Sequence, residues 1–428
     1  MDKINNLLVK NRINICAGLV LFMILCLSPK SFAFELEWHG FTQAHTAAKT
    51  TAKYPGDKRE DIFVGAEKLR LQLSGSSDDG AAGFTVKADL ANDSVNNETY
   101  NDLREMYMDY SGNAFDLRVG RQIITWGVGD LLFINDVFPK DWQALFTGEP
   151  MEYMKLGSDA VKLNIYADTV TMELVVTPFF RQDNLPSSKI FISNASSSSL
   201  SYETQMPDHT FDNAETALRL SVPIFGFDSS LYAYRGFWRS PSGAPDDVSD
   251  PTLLIMSFSP LAEYGFSVQG NVATGVLSLE GGYYDSVDDR DGTDPFVPNS
   301  QWRYLVGFQK QFGADTVISA QYYGESMVNY EEYLNNAPES AMPVKQNHQY
   351  VTLRFTRFFI YQTLKFNVFG YYSPDEEDYY VIPEIRYTLT DGMWTAIGAN
   401  IFGGKKEYTF FGQFDKNDNV YAVLRYEF

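Results

Sequence analysis

Val420-Tyr421-Ala422-Val423-Leu424-Arg425-Tyr426-Glu427-Phe428, the last nine residues of the chain, decide the fold. Val420, Ala422, Leu424, Tyr426 and Phe428 fall on alternate positions. A strand sends alternate side chains to opposite faces, so this stretch predicts one continuous apolar row. On the edge of a soluble sheet such a row would pair with other chains and aggregate. Facing lipid, it is the outer side of a barrel strand.

The same period of two recurs upstream. Leu69, Leu71 and Leu73 alternate with Lys68, Arg70 and Gln72, and Phe84, Val86, Ala88 and Leu90 alternate with Thr85, Lys87 and Asp89. Val170 to Val176, Leu218 to Val222, Trp302 to Phe308 and Leu364 to Val368 repeat the pattern. Short connections at Ser111-Gly112-Asn113, Asp168-Thr169, Gly313-Ala314-Asp315 and Asp391-Gly392 take turns with long ones at 48–60, 92–101, 125–158, 181–212, 239–261, 286–300, 327–346 and 403–418. Short turns on one rim and long loops on the other are the outer-membrane arrangement. The reading is an all-β transmembrane antiparallel β-barrel of 16–18 strands, best counted as 18 with 239–261 taken as a loop. In lipid every backbone N–H and C=O must be paired within the protein, so the first strand, near Leu36 to Thr46, has to meet the last. Leu424, Tyr426 and Phe428 match the C-terminal signature read by the barrel-assembly machinery.

The N-terminus agrees with export. Lys3, Lys10 and Arg12 precede the apolar run Ile13 to Leu27, and Ser31-Phe32-Ala33 offers small residues for cleavage. Residues 1–33 therefore read as a cleaved secretory signal, with an uncleaved anchor as the alternative, and 34–428 as the barrel. Both cysteines, Cys16 and Cys26, lie in that signal, so no disulfide supports the barrel. The whole chain carries a net charge of −21; losing Lys3, Lys10, Arg12, Lys30 and Asp2 leaves −24. Such acidity excludes nucleic acid as a partner. It leaves outer-membrane lipid and lipopolysaccharide around the barrel, in a Gram-negative outer membrane.

The alternation places Arg70, Arg118, Arg219, Arg303, Arg354 and Arg386 on the lumen side, nearly balanced by acids such as Asp89, Glu173 and Glu280. They form either a ladder guiding anions or paired charges satisfying each other across a wide barrel. No cofactor is expected, with one exception. Asp289, Asp291 and Asp294 gather around Gly292, which suits a calcium ion or an Asp-rich hydrogen-bonded turn.

One loop differs from the rest. Residues 125–158 contain Leu131, Leu132, Phe133, Ile134, Val137, Phe138, Trp142, Leu145 and Phe146. Each such side chain gains roughly 1.5–3 kcal/mol on burial, so the loop should fold into the lumen as a constriction. Asp130, Asn135, Asp136, Lys140 and Asp141 punctuate it. Together with Phe133, Phe138 and Trp142 they either anchor the loop or line a solute path.

Several motifs occur together: Gly120-Arg121-Gln122, Thr125-Trp126-Gly127, Gly129-Asp130-Leu131-Leu132-Phe133, Phe138-Pro139-Lys140-Asp141-Trp142, Tyr284-Asp285-Ser286, Asp288 to Gly292 and Asp294 to Ser300. The set resembles porin-like outer-membrane barrels of proteobacteria, loosely of the alginate-export type. The resemblance implies a companion inner-membrane exporter of the resistance-nodulation-division type. A non-enzymatic channel for a small, partly hydrophobic solute is the expectation. The alternatives are a sealed binding or structural barrel, and a hydrolase with His209 and acids at one rim. Against the last, the chain has only four histidines and no Gly-x-Ser-x-Gly.

Overall fold

The computed structural model describes residues 34–50, 61–192, 200–248, 250–338 and 344–428. The expected signal at 1–33 and most of the loop expected at 48–60 lie outside the described residues. The strands in chain order begin with β1 (Phe34–Lys49), β2 (Ile62–Ser77), β3 (Ala82–Asp93), β4 (Glu98–Ser111), β5 (Phe115–Gln122), β6 (Ser158–Ala167) and β7 (Val170–Thr177). Next come β8 (Ser201–Gln205), β9 (Glu215–Ile224), β10 (Phe227–Phe237), β11 (Ser242–Pro245), β12 (Leu253–Ser257), β13 (Pro260–Val272) and β14 (Gly275–Ser286). The chain ends with β15 (Gln301–Phe312), β16 (Thr316–Met327), β17 (Asn347–Phe359), β18 (Leu364–Ser373), β19 (Asp378–Thr390), β20 (Met393–Gly404) and β21 (Asn419–Glu427).

Eighteen of these strands form one antiparallel sheet, and β8, β11 and β12 form a separate small one. The large sheet closes where β1 meets β21, with Thr42 opposite Tyr426 and Ala44 opposite Leu424. Gly40 and Phe428 exchange two backbone hydrogen bonds of 2.9 Å at that seam. Closure removes the open edge that hydrocarbon does not tolerate.

The two faces follow the alternation. Leu231, Trp302, Val306, Leu353, Ile397, Leu424, Tyr426 and Phe428 stand exposed on the outside. Lys68, Arg70, Tyr421, Val423 and Arg425 are buried inside. The rim after β5, β7, β10, β14, β16 and β20 carries the long connections, and the opposite rim carries short turns.

Two expectations change in detail, and one irregularity is new. Leu253–Ser257 is a strand, but it pairs with β11 and, in parallel, with β8, so it caps the long-loop rim and leaves the wall count at 18. The long loop expected at 92–101 contracts to residues 94–97, because the Asp93 carboxylate accepts from Val95 N (3.0 Å) and Asn96 N (3.2 Å) and closes a tight turn. In β4 the register shifts beside Lys87 and Ala88, which face Glu105 and Leu103 and leave Arg104 as an extra residue. That bulge lets two neighbours, Arg104 and Glu105, both be buried, which strict alternation forbids.

Candidate constriction and mouth cavity

The segment between β5 and β6 enters the lumen and hydrogen-bonds to strands all around it. It leaves β5 with Trp126, whose indole N–H donates to Glu173 on β7. Glu280 on β14 then gathers the backbone N–H groups of Val128 (2.9 Å), Gly129 (3.0 Å) and Asn135 (2.8 Å), together with the Asn135 amide (2.8 Å). Gly127 sits at φ +76°, where a Cβ would lie 2.5 Å from the Glu280 carboxylate. Gly265 on β13 leaves the space that the Asn135 side chain fills, since a Cβ there would meet its Oδ1 at 1.8 Å. Glycine at both positions is thus a steric requirement of the docked segment.

Farther around, Gln321 on β16 donates to and accepts from the Asp130 backbone (2.9 and 2.7 Å). Arg354 on β17 grips the Asp130 carboxylate, with one nitrogen at 2.7 Å. Tyr371 on β18 donates to Leu131 O at 2.8 Å. The segment then forms the short helix α1 (Trp142–Phe146), capped by Asp141, which accepts from Ala144 N at 2.7 Å. Phe146 ends α1 inside a cluster of Tyr380, Phe402, Phe414 and Phe191, with ring centroids 4.9–6.2 Å away. Asn400 on β20 and Asn419 on β21 both donate to Phe146 O, at 2.9 and 3.1 Å.

The last third returns along β1 to β4. Glu149 takes Gln43 and Lys68 at 3.1 Å each, with His45 at 3.3 Å. Burial opposes its ionisation, but Lys68 and His45 outweigh that and hold the carboxyl well below the usual range. Glu152 bridges Arg70 (2.5 Å) and Arg425 (2.6 Å), and its pKa falls for the same balance of burial against paired arginines. Tyr153 OH donates to Asp89 at 2.9 Å, and Arg104 donates to Glu152 O and Lys155 O at 2.9 Å.

The structure sends the expected site residues to three places. Asp130, Asn135 and Phe138 face the wall or the segment's own core, Phe138 lying edge-on to Trp126 at 5.1 Å. Phe133, Asp136, Lys140 and Trp142 line a cavity of about 710 Å³ below the long-loop rim. Asp141, besides capping α1, borders a second, more polar cavity of about 400 Å³ with Lys68, Asp89 and Glu149. In the first cavity Phe133 packs edge-on to Trp142 at 5.9 Å, with Lys140 4.4 Å over its ring. Lys140 Nζ also donates to Asp136 O (2.6 Å) and Phe138 O (2.7 Å). Its burial pushes the ammonium pKa down, against the pull of Asp136 and Asp183.

The lumen arginines are mostly paired. Arg70 sits on Asp89 (2.6 Å), Arg118 on Asp109 (2.6 Å), Arg219 on Glu173 (3.3 Å) and Arg303 on Glu325 (3.3 Å). Arg386 lies 3.8 Å over the Trp394 ring. This is the pattern of charges that satisfy each other across the wall, and it leaves little free positive potential for a ladder. Sequence reasoning missed the rest of the cavity lining, where Trp238 and Arg239 after β10, Tyr350 on β17 and Phe411 after β20 join the segment. It also passed over Glu149 and Glu152; acids closing an otherwise apolar segment were the available signal.

Asp289, Asp291 and Asp294 do not converge. Asp289 uses both oxygens on its own turn, accepting from Thr293 N (3.0 Å) and Asp294 N (2.9 Å). Asp294 accepts from Phe296 N at 2.9 Å, and Asp291 is exposed. The histidines are dispersed too: His45 contacts Thr147 O at 3.1 Å, and His209 packs by Phe179 with ring centroids 5.1 Å apart.

No protein-family model matches the chain, and no curated protein matches it by sequence. Solved structures do match along most of its length. OccK3 (OpdO) of Pseudomonas aeruginosa aligns with a TM-score of 0.55 at 11% identity, over 92% of this chain and 96% of that one. OccK11 (OpdR) of the same organism aligns with a TM-score of 0.53 at 10% identity, over 92% and 95%. OccK5 (OpdH) gives 0.53 at 10%, over 92% and 98%. This chain shares the fold of these neighbours.

Proposed function

We propose that the chain is an outer-membrane channel of a Gram-negative bacterium, gated by residues 125–158, that passes a small, partly apolar solute. One observation carries the reading: the inserted segment and the wall together build an aromatic cavity of about 710 Å³ at the mouth. Phe133, Trp142, Trp238 and Tyr350 supply apolar surface. The charged lining groups are matched, as in Arg303 with Glu325 and Lys140 with Asp136. Apolar walls with a few fixed polar groups suit a neutral solute of mixed character. Lipopolysaccharide at the long-loop rim, the barrel-assembly machinery and an exporter of the resistance-nodulation-division type are the partners this reading brings.

A second reading is a sealed binding barrel, favoured by the bonds that tie the segment to strands on every side. Conductance in planar bilayers separates the two, using protein extracted from membranes with and without residues 130–146. A nearly closed intact protein whose deletion gives large, steady steps supports the gated channel. Silence from both forms supports the sealed barrel.

A further inference from the structure

We propose that His348, Asp375 and Glu376 form a binding site for a divalent transition-metal ion on the wall of the mouth cavity. Their ligand atoms lie within 4.8 Å of one another, and among the described residues they are the one such cluster of three. The β17–β18 register explains the meeting. Val351 faces Tyr372, so continuing the ladder outward sets His348 opposite Asp375 at the start of the tight turn after β18. His348 Nδ1 is 3.5 Å from Asp375 Oδ2, and its Nε2 is 3.7 Å from Glu376 Oε1.

The donors are prepared in a way a bare acidic cluster is not. Asp375 Oδ1 already accepts from Gln349 N and Ser373 Oγ, both at 3.0 Å, which fixes the carboxylate plane. Its other oxygen, Oδ2, and His348 Nδ1 are both buried and make no hydrogen bond. The two face each other at 3.5 Å, and buried polar atoms that make no hydrogen bond are uncommon. Glu376 is itself 6% exposed. The His348 ring stacks on Tyr350 at 6.0 Å with an interplanar angle of 6°, which holds the imidazole in place.

An imidazole nitrogen with two carboxylate oxygens is a borderline donor set that suits zinc. Metal–ligand bonds of about 2.0–2.2 Å set tetrahedral donors about 3.4 Å apart, so donors now up to 4.8 Å apart must close by about 1 Å around a single imidazole nitrogen. Lys345, 3.7 Å from Glu376, is the competing charge and must swing away when the ion enters. His348 also lines the large cavity, so the site borders that cavity through its imidazole. The site does not depend on the chain being a channel, because its test reads binding alone.

The experiment uses the untagged full chain purified in detergent, stripped with chelator and titrated with zinc chloride by calorimetry, with bound metal counted by mass spectrometry. The expected result is one zinc per chain. His348→Ala and Glu376→Gln should each weaken binding at least tenfold, while Asp289→Asn leaves it unchanged. Cobalt substitution should add a visible d–d band that His348→Ala abolishes. Heat-modified migration on gels confirms that each variant keeps a closed barrel. No zinc uptake by the intact chain, or equal uptake by His348→Ala and Glu376→Gln, overturns the site.

Discussion

The wall and the segment it encloses use the same residues by opposite rules. On the wall, Leu353 and Ile397 point outward and Arg354 and Arg425 inward, so apolar atoms meet lipid and polar atoms meet the lumen. In the inserted segment, Phe138, Leu145 and Phe146 are buried inside the lumen, while backbone N–H and C=O groups reach outward to polar wall side chains. The wall satisfies its backbone with its own ladder. The segment has no ladder and relies on Glu280, Gln321, Asn400 and Asn419. Backbone pairing in the wall therefore does not depend on any one side chain, whereas backbone pairing in the irregular segment does.

The sharpest way to break that contrast is Glu280→Ala. It leaves three backbone N–H groups without their acceptor, at about 1–3 kcal/mol each. We expect frequent long openings in bilayers with the barrel intact; a trace like that of the unchanged protein would remove Glu280 as an anchor. On the wall, Leu353→Arg puts a charge in the middle of β17 facing lipid. The expected loss is about 2–4 kcal/mol in urea unfolding from vesicles, with gating untouched. A loss below 1 kcal/mol would mean that this face does not meet hydrocarbon.

Acid should act on the segment before the wall. Glu149 is held below its ordinary value of 4.5, so its pairing stabilises docking above about that pH and is lost progressively as pH falls further. Open probability should rise below about pH 4.5, and Glu149→Gln should reduce that rise, with Glu152, depressed in the same way, carrying the remainder. The smallest effect belongs to Asp130→Asn. The Asp130–Arg354 pair is partly exposed, so about 0.2–1 kcal/mol is at stake. Brief flickers without a change in the main step are the expected record, and a fully open channel would show that this pair outweighs the Glu280 anchor.

The wall was legible in the sequence because alternation is local. Leu69 to Leu73 and Val420 to Phe428 each announce a face without reference to any other strand. The strand count followed from turns, and the seam from the need for closure. Arg104 was not legible, since a bulge breaks the period on which the reading relies. Nor was the docking of 125–158 in detail. Its apolar content said that it must be buried, but Asn135 fits only because Gly265 lies 130 residues later in the chain. The cavity shares this property: Phe133 and Trp142 stood out, whereas Trp238, Arg239 and Phe411 lie in connections whose positions only the closed sheet defines.

The chain order of the partners sets a timetable for assembly. Phe146 is made early, but Asn400 and Asn419, which hold its carbonyl, follow 254 and 273 residues later. Contacts this distant in sequence form slowly. Until the final strand arrives, the apolar stretch from Leu131 to Phe146 has no lumen to occupy. Docking of that stretch thus reports that the cylinder has been completed, and a truncated chain would betray itself by leaving it exposed.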